Sequence, residues 1–373
     1  MHSKGYDDLS AAQRARHSLR RVFAAAAVLL LLAVLLLILS ITQSRRSPVS
    51  LRQNGFLPAD GKTTFFAAAG NGLAAADSDE IRLFSSAGKA VARYEADLHD
   101  PVCAAGTAVS VYYDGECESI YALYPDGTCR TARTEGLPVF VDVNETGLIT
   151  VLIDKSDSFG AVMVYDTDLT PLFLWSSGTS YPVAARISGN DILCVSCVSR
   201  EGAALRFFRI DSSEEYGRFD LPGEVIVDIG YVGSETLAAV TPDAVLFLSP
   251  TGELKQRHSF QGGHLDAYSL TGAFAAVSTV SGASGGTGTI TTFDEQGQII
   301  ASLSAPRHVE ALSVGGEELL ALFTGEESTL FSSALEELVS YQPEEGVTQV
   351  FLTPGGMAYY AGPGGVTQID FSR

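Results

Sequence analysis

The sequence predicts an all-β fold, an eight-bladed β-propeller behind one N-terminal transmembrane helix. Three observations carry that expectation. Tight glycine turns return about every forty residues, helical periodicity is absent after residue 42, and a single long apolar run precedes the repeats. Strands and tight turns at that period build a ring of four-stranded blades.

The apolar run comes first in the chain. Val22 to Ile41 is twenty residues without a charge, with Ser40 its one polar member. As a helix it spans roughly 30 Å, the thickness of a bilayer's hydrocarbon core. Arg14, Arg16, Arg20 and Arg21 precede it, against Arg45, Arg46 and Arg52 behind it, which favours a cytoplasmic N-terminus. A cleaved signal peptide is the rival reading, but the run is long and no Ala-x-Ala site follows it. No Cys near its end indicates lipoprotein processing. The expected organisation is a basic cytoplasmic tail (1–21), a signal anchor (22–42), a linker with a possible ring-closing strand (43–54), and an extracytoplasmic propeller (55–373).

In each repeat an apolar strand turns at Gly or Asn into a second apolar strand, and a hairpin follows. The hairpin turns read Ser86-Ala87-Gly88-Lys89, Pro125-Asp126-Gly127-Thr128, Pro250-Thr251-Gly252-Glu253 and Glu295-Gln296-Gly297-Gln298. Degenerate copies end at Thr170, Glu215 and Glu337. Openings at Val139, Val183, Val225, Leu265, Val309 and Val347 are 44, 42, 40, 44 and 38 residues apart. Alternation such as Ile81-Arg82-Leu83-Phe84 suits strands packed between blades. The last unit, from Val347 to Phe371, holds only three strands' worth of sequence. Residues 49–55 are the candidate for the missing outer strand, which would close the ring and leave no free edge. Eight blades result, with seven as the alternative count.

The hairpin Phe84-Ser85-Ser86-Ala87-Gly88-Lys89 resembles the strand-turn-strand of quinoprotein-like propellers, whose repeats read Asp-x-x-x-Gly-Lys-x-x-x-Trp. Trp175 is the chain's single tryptophan, so the docking tryptophans of that family are otherwise missing. The full layout of basic tail, apolar span and repeat domain is similar to an uncharacterised family of membrane-anchored extracytoplasmic propeller proteins of Gram-positive bacteria. That resemblance implies placement in the cell envelope and supplies no catalytic residues.

Composition narrows the partners. Hydrophobic residues make up 46% and charged residues 18%, enough for a large core and too apolar for wholesale disorder. The formal net charge is −20; seven Lys/Arg and two Asp in residues 1–46 leave −25 on residues 47–373. Such a surface repels phosphates, so nucleic acid is not an expected partner.

Aligning the unit openings by the turn that follows them stacks Asp142, Ala184, Asp228, Asp266, Glu310 and Gln349 in one column. If the first strand of each blade lines the channel, its carboxylates converge there and become candidates for a cation site or a raised pKa; solvated channel residues are the plainer reading. His99, His264 and His308 share a position just before an opening strand, as zinc ligands or as exposed turn residues. Cys194 and Cys197 are three apart on a strand, so their sulfurs face opposite sides and read as core cysteines. The stretch Ser281 to Gly288 is glycine-rich but lacks the Gly-Lys-Ser/Thr ending of a phosphate loop, so a hairpin loop is expected. Asp77-Ser-Asp79-Glu80 and the loop from Asp154 to Gly160 read as turns rather than calcium loops, and Asn144-Glu145-Thr146 is a formal glycosylation sequon. No Gly-x-Ser-x-Gly or His-Glu-x-x-His signature is present. The expected role is non-enzymatic, without a cofactor: a scaffold for an envelope protein or cell-wall component. A ligand or cation sensor, or a quinoprotein- or glycosidase-like enzyme, is the alternative.

Overall fold

The computed structural model describes residues 52–58, 65–70, 72–281, 288–305, 307–325, 327–362 and 365–371. The Val22 to Ile41 run and the basic tail lie outside them. Among the described residues no helix is long and apolar enough to cross a membrane.

Thirty-two strands form eight antiparallel four-stranded sheets, the blades of a propeller. The first strand, β1 (Arg52–Pro58), belongs to the last blade. Blades 1 to 7 then follow in chain order: β2–β5 (65–95), β6–β9 (101–133), β10–β13 (137–176), β14–β17 (181–222), β18–β21 (228–259), β22–β25 (264–305) and β26–β29 (309–341). Blade 8 is β30–β32 (349–370) completed by β1, which pairs with β32 from Arg52↔Asp370 to Pro58↔Gly365. The ring-closing strand is thus real and lies three residues beyond the predicted 49–55.

The blades share no common centre; the core lies between them. Second and third strands are buried on both faces, so they read as continuous apolar runs such as Ile149–Asp154, Ala244–Leu248 and Glu318–Phe323. Leu205, Phe207, Leu237 and Leu246 fill the gap between blades 4 and 5; Val151, Val111 and Ile120 fill that between blades 2 and 3. Each fully buried Leu, Val or Phe contributes about 1.5–3 kcal/mol relative to exposure. Cys194 packs towards blade 5 and Cys197 towards blade 3, on the opposite faces that their spacing dictates.

In blades 1, 2, 3, 5, 6 and 7 the third and fourth strands are joined by one five-residue turn, closed by bonds such as Asp294 N–H to Gln298 O (2.9 Å) and Gly297 N–H to Asp294 O (2.9 Å). In blades 3, 5, 6 and 7 a side-chain acceptor at the first position secures it: Asp294 Oδ1 accepts from Gln296 N–H and Gln298 N–H, and Asp166 Oδ1 from Asp168 N–H and Thr170 N–H. The fourth position needs positive φ, supplied by Gly88, Gly127, Gly252 and Gly297, and in the degenerate copies by Leu169 (φ 63°) and Leu335 (φ 58°). Blade 4 departs from the pattern.

Because the strands run up and down, the first-to-second and third-to-fourth turns gather at one end of the ring, here the turn end. The second-to-third loops and the links between blades gather at the other, the loop end. At the turn end the blades are stitched together. Thr292 Oγ1 donates to Ser333 O (2.7 Å), Asn144 Nδ2 to Ser188 O (3.4 Å), and Gln368 Nε2 to Ser86 O across the closing seam. Asn144 is buried, and its Oδ1 accepts from Thr146 N–H and Leu148 N–H, so its amide is committed to the turn.

Candidate functional site

A β-bulge at the entry to the innermost strand decides which residues meet. The register shifts at Val139 in β10 (Leu137–Val143), Val183 in β14 (Tyr181–Ile187), Asp266 in β22 (His264–Ser269) and Glu310 in β26 (Val309–Gly315). In β18 (Asp228–Val232) and β30 (Gln349–Leu352) the equivalent residues are Val227 and Thr348, whose N–H groups donate to Val240 O and Ala361 O, the partners of Asp228 and Gln349. The column read from the sequence therefore divides among three positions. Asp266 and Glu310 stand at the bulge, Ala184, Asp228 and Gln349 one residue beyond it, and Asp142 three beyond it.

Only Asp142 and Asp228 come together, through Arg186. The guanidinium of Arg186 on blade 4 lies between Asp142 Oδ1 of blade 3 (3.6 Å) and Asp228 Oδ1 of blade 5 (3.7 Å), over the Phe140 ring at 4.7 Å. These distances make ion pairs without direct hydrogen bonds, and Arg186 Nη1 is buried without a hydrogen-bond partner. Enclosure beside the ring axis pushes the Asp142 carboxyl above the usual carboxylate range. Arg186 opposes that rise, Asp228 adds to it, and the Val143 N–H opposes it. Tyr268 of blade 6 completes the group; burial first, then the Asp228 charge, pushes its phenol up to about 12. The cluster carries two carboxylates against one guanidinium and is held by the innermost strands of four blades.

Asp266 is placed elsewhere. Its Oδ2 accepts from Val309 N–H (3.0 Å), and its Oδ1 meets His308 Nδ1 (2.7 Å), so it ties blade 6 to blade 7. Glu310 is exposed, and Gln349 is half-buried. Two of the three histidines, His264 and His308, share one register position two residues before the bulge. His99 lies before β6 (Pro101–Ala105), which has no bulge, and donates its N–H to Asp114 Oδ2 (2.7 Å). Among the described residues no group of three or more His, Cys, Asp or Glu is placed to hold a metal ion.

Arg186 escaped the sequence column because blade 4 presented Ala184 there, and Phe140 and Tyr268 because blades 3 and 6 presented Asp142 and Asp266. The signal was present all the same: Asp142 and Arg186 each lie two residues before the turn of a matching unit. The glycine-rich residues 282–287 lie outside the described residues. Their flanks, Val280 and Gly288, pair as neighbours within blade 6.

Blade 4 also stands taller than its neighbours. Its β15 (Ile192–Ser199), β16 (Gly202–Arg209) and β17 (Glu215–Pro222) have eight residues each, against five in β18–β20. The extra length borders a groove of about 1080 Å³ at the loop end, lined by Phe159, Tyr181, Val198, Ala204, Arg206 and Arg218. Phe159 and Tyr181 meet edge to face at 4.9 Å.

These features define a β-propeller of eight four-stranded blades whose innermost strands carry a charged cluster. The chain belongs to DUF5711, a family of unknown function, whose model matches residues 54–369. No curated protein matches it. Among solved structures, it is similar to Sqt1 of Saccharomyces cerevisiae, with 11% identity, TM-score 0.61, and 87% of this chain and 98% of that one covered. It is also similar to BamB from Moraxella catarrhalis (12% identity, TM-score 0.56, 86% and 97% covered) and to the C-terminal WD40 domain of Sif2 (10% identity, TM-score 0.63, 85% and 97% covered). At such identities the likeness concerns the fold.

Proposed function

We propose that this chain is a non-enzymatic binding scaffold, anchored in the cell membrane by Val22 to Ile41. Its basic tail lies in the cytoplasm, and the propeller presents a binding surface to an envelope protein or cell-wall component. The observation that carries this reading is the contrast between the two ends of the ring. The turn end repeats one compact turn, whereas the loop end carries unlike loops, a raised blade 4 and a wide aromatic-lined groove. A rigid closed frame with variation confined to one end suits recognition. The test is crosslinking of the full-length protein in its native membrane, followed by identification of what co-purifies. A reproducible partner is expected; its absence across crosslinkers of several lengths would remove the scaffold reading.

The charged cluster supports a second reading, a sensor whose ligand enters the channel. Asp142 and Asp228 share one guanidinium, so a small cation or an amine reaching them would compete with Arg186. A screen of cations and amines for a rise in melting temperature checks it, with Asp142→Asn expected to abolish any rise. No rise from any of them leaves only the scaffold.

A further inference from the structure

The exposed large apolar side chains of this protein fall into two groups. Val91, Tyr94, Leu172, Leu174, Tyr216, Leu254, Ile299 and Ile300 lie along the outermost strands of blades 1, 3, 4, 5 and 6. The others gather at the loop end, on three consecutive blades: Leu137 and Val139, Tyr181 and Val183, Val225 and Val227, each between 37% and 57% exposed, with Phe159 beside them. These pairs hold equivalent places, the bulge residue and the residue two before it. The fold does not require apolar side chains there. In blades 6 and 7 the same two places hold His264 with Asp266 and His308 with Glu310. Blades 3 to 5 therefore bear an apolar crescent that blades 6 and 7 replace with polar groups. Large exposed apolar patches with polar rims mark docking surfaces.

Charge selects the occupant. At the loop end of these blades stand Glu135, Asp154, Asp157, Glu201, Glu224 and Asp243. Against them are Lys155, Arg200, Arg206, Arg218 and Arg257, of which Lys155 is held by Glu135 (3.0 Å), Arg206 by Glu215 (2.5 Å), Arg218 by Asp220 (2.7 Å) and Arg257 by Glu224 (2.9 Å). A second copy would bring the same acidic rim against this one, and an anionic lipid surface would be repelled likewise. We infer that the crescent of Leu137, Val139, Tyr181, Val183, Val225 and Val227 docks a polypeptide segment of a partner protein that is apolar and carries basic residues. Its apolar side chains cover the crescent while its lysines or arginines meet the surrounding carboxylates. The inference rests on the scaffold reading and assigns that scaffold its surface and the chemistry of its partner.

The probe is a phage-displayed library of random twelve-residue peptides, panned against the full-length protein in detergent. Enriched peptides are expected to be apolar with net positive charge, and to weaken at least tenfold against the double variant Val183→Asp/Val227→Asp. The rim control Leu254→Asp/Ile299→Asp is expected to bind them as the parent does. The milder pair Val183→Ser/Val227→Ser serves if the aspartates disturb folding. No enrichment, enrichment of acidic peptides, or binding that both crescent variants leave intact overturns the inference. The same variants, crosslinked in the native membrane, separate the two claims. A partner retained by both crescent variants sinks the crescent and leaves the scaffold standing; no partner for the parent sinks the scaffold itself.

Discussion

Two aspartates in this ring, Asp114 and the half-buried Asp142, are set in opposite directions by their surroundings. Asp114 is fully buried. Burial alone pushes its carboxyl up, yet the N–H groups of His99 (2.7 Å) and Glu116 (3.0 Å), aided by the His99 ring, hold it below the usual carboxylate value. A carboxyl lowered by folding contributes stability above its unfolded pKa of about 3.9, and that stability is lost as pH falls through the folded value. Asp142 is raised, so the fold holds its proton more tightly than the unfolded chain does. Its contribution is present below about pH 3.9 and is lost as pH rises through the folded value. Asp114→Asn is therefore expected to lose about 1–3 kcal/mol at neutral pH, because one N–H is left without an acceptor. The deficit should shrink below about pH 4. Asp142→Asn is expected to match or exceed the parent at neutral pH, with its advantage fading toward pH 4. Urea denaturation followed by fluorescence of Trp175, the chain's single tryptophan, packed on Phe208 at 5.1 Å, measures both.

At the scale of the element, the turn between the third and fourth strands explains both what the sequence reveals and what it hides. Gly127 and Gly297 occupy the same place at φ 89° and 75°. A Cβ on Gly127 meets open space, but one on Gly297 would lie 2.6 Å from the Phe247 ring of the preceding blade. Gly127→Ala is expected to cost about 1 kcal/mol of backbone strain. Gly297→Ala adds overpacking and is expected to cost about 2–4 kcal/mol in thermal or chemical unfolding. The two leucines at this place obey another balance. Leu335 is buried against blade 6, and that burial, about 2–3 kcal/mol, outweighs a left-handed backbone that costs about 1–2 kcal/mol. Leu335→Gly is therefore expected to destabilise despite relieving its backbone. These turns were legible because glycine at a fixed offset, with serine or aspartate ahead of it, announces them. The bulges were not: the same place holds valine at Val139 and Val183 but a carboxylate at Asp266 and Glu310, since the shift arises from how neighbouring strands pair. One extra residue in each bulged strand was enough to merge three register positions into one acidic column.

At the scale of the whole molecule, stability depends on a closed ring, because every core is shared between neighbouring blades. Blade count and the closing strand could be read from a three-strand final unit and an unassigned strand ahead of the first. The charged cluster could not, since it needs blades 3, 4 and 5 to converge. A chain starting at residue 59 lacks β1 and exposes the edge of β32 (Gly365–Asp370). It is expected to associate on size-exclusion chromatography and to be cut by protease within residues 349–370, whereas a chain starting at residue 51 stays monodisperse and protected. The seam also has a consequence for synthesis. β1 leaves the ribosome before any blade exists, and its pairing partner emerges after all the others. Until then the outer strand of the eighth blade is a loose end, and long-range pairing of this kind is slow to form. A polypeptide that stops short of Gly365 has nothing for Arg52–Pro58 to pair with, so the seam works as a test of completeness, separating finished chains from broken ones by whether the ring can shut.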